Sequence, residues 1–399
     1  MTSLRFLQLH FLTSYPGALL NRDDAGLAKR LTYGGAVRTR VSSQCLKRHW
    51  RTGTDAWSLA ATGADLSVRS REVFEYAIRP QLATRLPSAS AETLDAAGAA
   101  LSRGLYGEKA GAVKNRQALL FGWREVEFLT ELLAPIVESS ASAAEAGAAV
   151  DALFKDRKSK ANLSVIRQSA GALAAGLEAS LFGRMVTSDP AANTDAALHV
   201  AHAFTVHEQE SETDYFTVVD DLKLREADKD SGSAGIFDTE LTSGLYYGYV
   251  VVDIPLLVAN ITGAKPEEWA SAELDRSLPA KVIEHLVHLI ATVSPGAKKG
   301  STAPYAFANT VLVEAGSRQP RSLASAFESP VRSTRGISLS SLAESALFGR
   351  LRAIDRAYGS DESRRFLSIT SDSVEGLDGP HSIDALASWA AERVRSATV

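Results

Sequence analysis

A long helical stretch interrupts a chain whose two ends are patterned as β-strands. From about residue 57 to residue 182 the sequence is rich in Ala, Glu and Leu, and its apolar residues recur at the 3.6-residue spacing of amphipathic helices. Residues 5–12 alternate as a half-buried strand does, and residues 245–253 form a nearly continuous β-branched and aromatic run. Strands and helices segregated in this way favour an α+β fold over a doubly wound α/β fold.

The composition is that of an ordinary folded protein. Of 399 residues, 45% are hydrophobic and 23% are charged, which excludes disordered, collagen-like and disulfide-stapled classes. No apolar run reaches the roughly 18 residues that a membrane span needs, and the N-terminus reads as a strand rather than a signal peptide. The single cysteine, Cys45, favours a reducing compartment. We therefore expect a cytoplasmic protein with no membrane partner.

The charge is distributed unevenly along the chain. The formal net charge is −4, yet residues 1–51 carry nine lysines and arginines against two acids. Residues 206–240 show the reverse, with eleven acids against three basic residues. A basic segment of this kind is typical of polyanion binding. A solvated surface whose charges are balanced elsewhere is the alternative, and charge alone does not choose between them.

Two local elements bring the basic residues together. Residues 19–35 are rich in turn formers and predict a long loop. Residues 37–41 then alternate as a short strand that presents Arg38 and Arg40 on one side.

A short helix follows at residues 44–51. Ser42 and Ser43 supply its N-cap, and Leu46 and Trp50, four residues apart, face the core. A helix N-terminus with basic side chains one turn further on can hold phosphate groups without reading bases. An N-capped helix with solvated basic residues is the competing interpretation.

Further elements are predicted in the second half of the chain. Residues 198–204 are apolar and predict a helix, after which the acidic stretch is expected to be an exposed excursion with a turn at residues 232–235. A helix is predicted at residues 280–293 and a strand at residues 310–314.

No constellation in the sequence requires catalysis, a metal or a cofactor. His285 and His288 are three apart on a helix but lack the order of zinc proteases, so they are interpreted as core or surface histidines. Asp23 and Asp24 could hold a divalent cation or act as a base, but paired carboxylates in a loop favour turn chemistry. Cys45 has no evident histidine partner. The interpretation of His285 and His288 extends to His199, His202 and His207.

Several motifs occur in the order and approximate spacing of one known family. The first runs from Leu20 to Arg51, with LNRDD at its start, YGG in its middle and RVSSQ before the helix. The others are, in chain order, 183–188, 201–203, 214–221, 243–246, 295–298 and 325–328. Together they resemble the CasC family, the repeated RAMP-type backbone subunit of the type I-E CRISPR Cascade surveillance complex. The resemblance spans about residues 4–328, and the helical stretch and the C-terminal tail match only in character.

The resemblance implies an α+β protein shaped like a hand. A ferredoxin-like (RRM-like) palm would carry helical fingers as an insertion and a β-hairpin thumb. The implied boundaries are residues 1–56 for the N-terminal part of the palm, 57–182 for the fingers, 183–205 for palm, 206–240 for the thumb hairpin and 241–399 for the C-terminal part of the palm.

The resemblance also implies a non-catalytic role in antiviral defence. Copies of the chain would polymerise head-to-tail as a filament along the CRISPR guide RNA (crRNA), which each thumb would kink by displacing one nucleotide. The remaining bases would pair with target DNA, so that pairing rather than protein reads the sequence. The other implied partners are the remaining Cascade subunits, namely the guide 5′-end cap subunit and the large and small subunits, and a helicase-nuclease recruited downstream.

Site residues follow from the matching motif positions. By resemblance, the palm contacts RNA through Arg22, Lys29, Ser42, Gln44, Lys47, Arg48 and Arg51. Met185 and Phe216 match an apolar pair at the kink, where a thioether and a ring can wedge between bases of any identity. Cys45 and Ala36 depart from the pattern, and Ala36 stands where a basic residue is expected, which puts one phosphate contact in doubt.

Two other classes of function compete with the scaffold. Related RAMP-type backbone subunits of type III complexes are endoribonucleases that cleave target RNA with a loop aspartate, for which Asp23 or Asp24 would be the candidate. A self-assembling protein that binds no nucleic acid is the third possibility.

Overall fold

The computed structural model describes residues 4–154, 163, 166, 171–217 and 236–397. These divide into two compact units, each assembled from separate segments of the chain. Unit 1 comprises Met1–Gly53, Val200–Val251 and Ile283–Arg393. Unit 2 comprises Thr54–His199, Val252–Val282 and Val394–Val399. The turn predicted at residues 232–235 lies outside the described residues.

The strands and helices have the following bounds within the described residues. The strands are β1 (Phe6–Ala18), β2 (Arg30–Tyr33), β3 (Ala36–Val41), β4 (Ser67–Ser70), β5 (Leu119–Gly122), β6 (Leu198–Val200), β7 (Ala203–Thr205), β8 (Glu210–Thr217), β9 (Ile236–Asp253), β10 (Ala308–Gly316) and β11 (Ser363–Ser368). The helices are α1 (Ser43–Arg51), α2 (Arg79–Arg85), α3 (Ala91–Tyr106), α4 (Trp123–Ser139), α5 (Ala143–Leu153), α6 (Leu177–Phe182), α7 (Ile254–Thr262), α8 (Ser277–Thr292), α9 (Lys299–Thr302), α10 (Leu339–Tyr358) and α11 (Ile383–Arg395).

Unit 1 is built on a sheet in which β1 is an interior strand between β10 and β9. The strand order is β11-β10-β1-β9-β7-β3-β2, with β8 also paired to β9. β1 is a strand as predicted, but the expectation that it is only half-buried is wrong, because Gln8 and His10 on its second face are also buried. His10 is satisfied there by hydrogen bonds to the Tyr247 hydroxyl (2.9 Å) and the Glu314 carboxylate (3.0 Å).

The segment expected to be one long loop contains a β-hairpin. β2 pairs antiparallel with β3, and Gly34 and Gly35 form the two-residue connection with φ of +60° and +76°. Positive φ at both positions is the type I′ geometry that hairpins favour and glycine permits. A Cβ at Gly34 would also lie 1.5 Å from the Glu328 carbonyl oxygen. Only glycine therefore fits at position 34.

The helix predicted at residues 198–204 is wrong. The structure forms β6 and β7 there, and Phe204 of β7 pairs with Arg40 of β3 and with Tyr247 of β9. A short apolar run does not distinguish a buried strand from a helix, and pairing on both edges decides it here.

Other predicted elements of unit 1 are present with longer bounds. The aromatic run at 245–253 ends the long strand β9, and the strand predicted at 310–314 lies within β10. The core on one side of the sheet includes Leu347 and Phe348 of α10 packed with Phe366 of β11. The C-terminal tail therefore completes this core.

Unit 2 holds the predicted helical stretch, with one feature that the pattern did not show. α2 to α5 pack around a core that includes Leu82, Leu101 and Leu133. β4 and β5 form a separate antiparallel pair, with Phe121 buried at its centre. Among the residues that the structure describes, no helix has both the length and the apolar character needed to cross a bilayer.

Candidate nucleic-acid interface

Helix α1 presents basic side chains on a firmly held backbone. The Ser42 hydroxyl accepts a hydrogen bond from the Cys45 N–H (3.3 Å), which confirms the predicted N-cap. Leu46 and Trp50 are buried as predicted. The helix has no acidic residue, so the charge on its outward face, which also includes the neutral Gln44, is positive.

The predicted palm residues differ in exposure. Arg22, Gln44 and Arg48 are exposed, and Lys29, Lys47 and Arg51 are half-buried. Ser42 is buried, and its hydroxyl is engaged in capping α1. Burial lowers the pKa of the Lys47 ammonium, which is expected of a cation partly removed from water.

Four of these cations have no acidic partner among the described residues. Within the part of the chain that the structure describes, no carboxylate lies within 4 Å of the charged groups of Arg22, Lys29, Lys47 or Arg48. Cations without an acidic partner, here divided between α1 and the loop before β2, attract a polyanion more than ion-paired side chains would.

The loop before β2 is fastened to α1. The Asn21 side-chain oxygen accepts a hydrogen bond from the Ser42 N–H (2.9 Å). One Asp23 carboxylate oxygen accepts from the N–H groups of Ala25 (2.9 Å) and Leu27 (3.0 Å). This is the turn chemistry that the sequence favoured for Asp23.

His202 lies at the N-terminus of α1, a role that the sequence did not indicate. Its Nδ1 accepts a hydrogen bond from the Ser43 N–H (3.0 Å), so its Nε2 carries the proton in the neutral ring. Burial, followed by the charges of Arg40 and Lys29, lowers the pKa of His202. The ring therefore stays neutral at pH 7 and keeps a donor beside these two cations.

Arg38 does not belong to this surface. The sequence predicts a strand that presents Arg38 and Arg40 on one side, but Arg38 is not presented to a ligand, because its side chain is fully buried. Its guanidinium donates to the carbonyl oxygens of Thr205 (2.8 Å) and Phe327 (3.0 Å). Arg38 therefore ties β3 to its neighbours and is unavailable to a ligand.

A projecting ribbon carries an aromatic pair. All residues of β8 are exposed, and β8 pairs with the start of β9 so that Phe216 lies opposite Phe237. Their rings stack with centroids 5.5 Å apart. The Lys298 Nζ lies 5.4 Å from the Phe216 centroid and donates a hydrogen bond to Thr239. The sequence did not indicate Phe237, because only strand register reveals it.

Part of the acidic stretch has a structural role at the base of this ribbon. Glu240 is buried, accepts a hydrogen bond from the Ala28 N–H (2.7 Å) and forms an ion pair with Arg30. Its carboxylate also accepts from the Gln209 side chain (3.2 Å). Glu240 therefore anchors the ribbon to the loop that precedes β2.

In unit 2, the Met185 side chain is exposed and a hydrogen bond holds its backbone. Its side chain is 66% exposed, and its carbonyl oxygen accepts a hydrogen bond from the Gln117 amide (2.8 Å). The preceding residue, Arg184, is buried and pairs with both oxygens of the buried Glu125 carboxylate (2.7 and 2.8 Å). A groove of about 390 Å³ beside Met185 is also lined by Arg69.

Cys45 does have a histidine neighbour, although the sequence did not suggest one. The His49 Nδ1 lies 3.7 Å from the Cys45 sulfur and 2.8 Å from the Cys45 carbonyl oxygen. Burial raises the pKa of the Cys45 thiol and lowers that of the His49 imidazole. These shifts oppose the thiolate–imidazolium pair that a cysteine nucleophile needs.

The described residues hold no cluster of three or more histidine, cysteine, aspartate or glutamate side chains that could bind a metal ion. His285 and His288 are both buried within α8. This burial matches the core interpretation of the two histidines.

Two comparisons found known proteins that are similar to this chain. A family model described as CT1975-like protein matches residues 7–389. Among curated proteins, none matches this chain. A solved chain from a "CRISPR RNA-guided surveillance complex, pre-nicking" is 25% identical and has a TM-score of 0.72, with 96% of this chain and 100% of that chain covered. Another, from a "CRISPR RNA-guided surveillance complex", is 21% identical with a TM-score of 0.56, covers 96% of this chain and 99% of its own, and shows a shared fold.

Proposed function

The chain belongs to the CT1975-like protein family, and we propose that it is a non-catalytic, cytoplasmic scaffold that polymerises along a CRISPR guide RNA and presents it to target DNA. The resemblance to the CasC family is confirmed, and the chain is a Cascade-type CRISPR subunit. Its partners would be the guide, further copies of itself and the other subunits of the complex.

One observation carries the RNA-binding part of the proposal. In a chain of net charge −4, Arg22 and Lys29 of the loop before β2 and Lys47 and Arg48 of α1 have no described carboxylate within 4 Å of their charged groups. Packing of Leu46 and Trp50 holds α1 in place, so the helix backbone does not have to become ordered when phosphate binds. Lysine and arginine contacts to phosphate hold the strand and leave base edges available for pairing.

We assign the palm to the sheet of unit 1 and the fingers to the helices of unit 2. By resemblance the palm is ferredoxin-like and comprises residues 1–56, 183–205 and 241–399, although residues 54–56, 183–199 and 252–282 of these ranges lie in unit 2. The fingers comprise residues 57–182 and the thumb residues 206–240. The exposed ribbon of β8 and β9 supports the thumb assignment, because two strands without a packed face need a partner surface to be stable.

The thumb would bend the RNA through apolar contacts. The Phe237 ring and Lys298 contact the Phe216 ring and support it, so that it can pack against a base and keep its position. Met185 is the second apolar contact, since its exposed thioether stands on backbone fixed by Gln117. Such contacts tolerate every base, as a guide of variable sequence requires.

The endoribonuclease alternative is less favoured. The Asp23 carboxylate is engaged by two backbone N–H groups of its own loop, which gives it a local structural role. A general base needs a carboxylate directed at its substrate rather than at its own turn.

Expression with a CRISPR array and the neighbouring subunits tests the scaffold. Sequencing of the co-purified RNA should recover one uniform processed guide in an assembly that holds many copies of this chain. Random cellular RNA would reduce the function to generic single-strand binding, and the absence of RNA would refute the proposal.

A cleavage assay with the same complex tests the alternative. We expect no periodic cuts when the complex is incubated with matched RNA and Mg²⁺. Cuts that disappear in Asp23→Ala or Asp24→Ala would instead establish the endoribonuclease.

A further inference from the structure

Two large rings protrude from the loop that connects α9 to β10 in unit 1. Tyr305 and Phe307 are each 72% exposed, and only one residue separates them in the chain. Single exposed apolar residues are common, but neighbouring aromatic rings that point into solvent mark a binding surface. Neither ring packs in the core, so core packing does not explain why the chain has two aromatic residues here.

The backbone that carries these rings is fixed. The buried Ser294 hydroxyl donates to the Ala306 carbonyl oxygen and accepts from the Ala306 N–H, both at 3.0 Å. The Tyr305 N–H donates to the Ala303 carbonyl oxygen (2.7 Å). Ala303 has a φ of +39°, a strained value for a residue with a side chain. The loop that holds both rings outward therefore contains a strained backbone conformation.

Positive charge adjoins the same loop. Lys298 and Lys299 precede it, and the Ala297 N–H donates to the Leu19 carbonyl oxygen (2.9 Å) at the end of the palm strand β1. The next carbonyl oxygen in the chain, that of Leu20, accepts a hydrogen bond from the Cys45 thiol of α1 (3.8 Å). The loop is therefore continuous with the basic surface of α1.

We propose that the aromatic loop, residues 303–307, is a stacking site for the unpaired bases of single-stranded RNA, with Tyr305 and Phe307 as the platform and Lys299 beside the phosphates. This inference rests on the proposed RNA-binding function and adds a contact surface to it. Aromatic rings beside a basic path are the arrangement by which proteins hold single strands of any sequence. The flanking lysines favour a polyanion over a neutral apolar partner.

Binding of a labelled single-stranded RNA of mixed sequence to the purified full-length chain tests the proposal. Tyr305→Ala combined with Phe307→Ala should weaken binding by about tenfold or more per ring. The slope of log affinity against log salt should stay unchanged, because no charge is lost. Tyr305→Phe, which keeps the ring, should bind as the wild type does.

Two further measurements separate the possible outcomes. Tyr358→Ala removes a tyrosine of similar exposure, 75%, from α10 and should leave binding unchanged. A 2-aminopurine in the RNA should be quenched by the wild type and less so by the double variant. If the wild type binds RNA and the double variant binds equally well, the stacking site is refuted and the scaffold stands. If the double variant loses only self-association, the loop contacts a second copy instead. If the wild type binds no RNA, the proposed function itself fails.

Discussion

Replacing Lys47 and Arg48 with alanine tests whether α1 holds the RNA backbone. Both side chains lie on a helix that is anchored by Leu46 and Trp50, and the substitutions leave the Ser42 cap intact. Alanine also has the highest helix propensity, so α1 should remain folded. The double variant therefore removes two cations and little else.

The expected effect can be stated as a salt dependence. Each lost phosphate contact on a single strand makes the slope of log affinity against log salt shallower by about 0.7, and two contacts change it by about 1.4. Over a fourfold rise in salt, from about 50 to about 200 mM, the affinity of the variant should fall roughly sevenfold less than that of the wild type. The loss should be the same for guides of different sequence, because phosphates carry no sequence information.

Fluorescence anisotropy with two unrelated guide RNAs over a salt series measures both quantities. Arg352→Ala combined with Arg356→Ala is the matched control, because it removes the same charge from exposed positions on α10. A shift in slope that the control reproduces would attribute the effect to overall charge. A loss of affinity for one guide only would refute backbone contact.

Three other outcomes are expected. Phe216→Ala should expose the nucleotide displaced at the thumb to nuclease more than it lowers total affinity, because one ring is lost and all cations remain; unchanged protection would argue against the wedge. Glu125→Ala should lower the free energy of unfolding in urea by about 3–5 kcal/mol, since it leaves the buried Arg184 guanidinium without its carboxylate; an unchanged urea midpoint would contradict this. Because burial lowers the pKa of His49, the unfolded chain gains a proton that the folded chain does not, and stability should decrease as pH falls below about 6.5. His49→Gln should flatten that part of the profile, and identical profiles would exclude His49 as its source.

Much of the candidate interface could be predicted from the sequence because its residues are close together in the chain. The Ser42 cap and the turn at Asp23 depend on contacts within four residues, and the four-residue spacing of Leu46 and Trp50 already identifies the helix face that is buried. The glycine pair of the β2–β3 turn likewise needs no distant partner to require positive φ.

The predictions for Arg38 and for residues 198–204 are wrong because the outcome at both places depends on residues far away in the sequence. Arg38 alternates with its neighbours as an outward residue would, yet carbonyl groups of Thr205 and Phe327 enclose it. The run around Phe204 is apolar enough for either secondary structure, and its strand state depends on Tyr247, more than forty residues further on.

The sequence by itself determined the helical stretch, the capped basic helix and the family motifs, because helix periodicity, capping and turn formation are local properties of the chain. Only the tertiary structure decided that Phe237 backs Phe216, that His202 meets the start of α1 and that Ser294 fixes the aromatic loop. Strand register and loop anchoring join residues that are far apart in the sequence. The free energy of these contacts depends on the tertiary packing and not on any short segment.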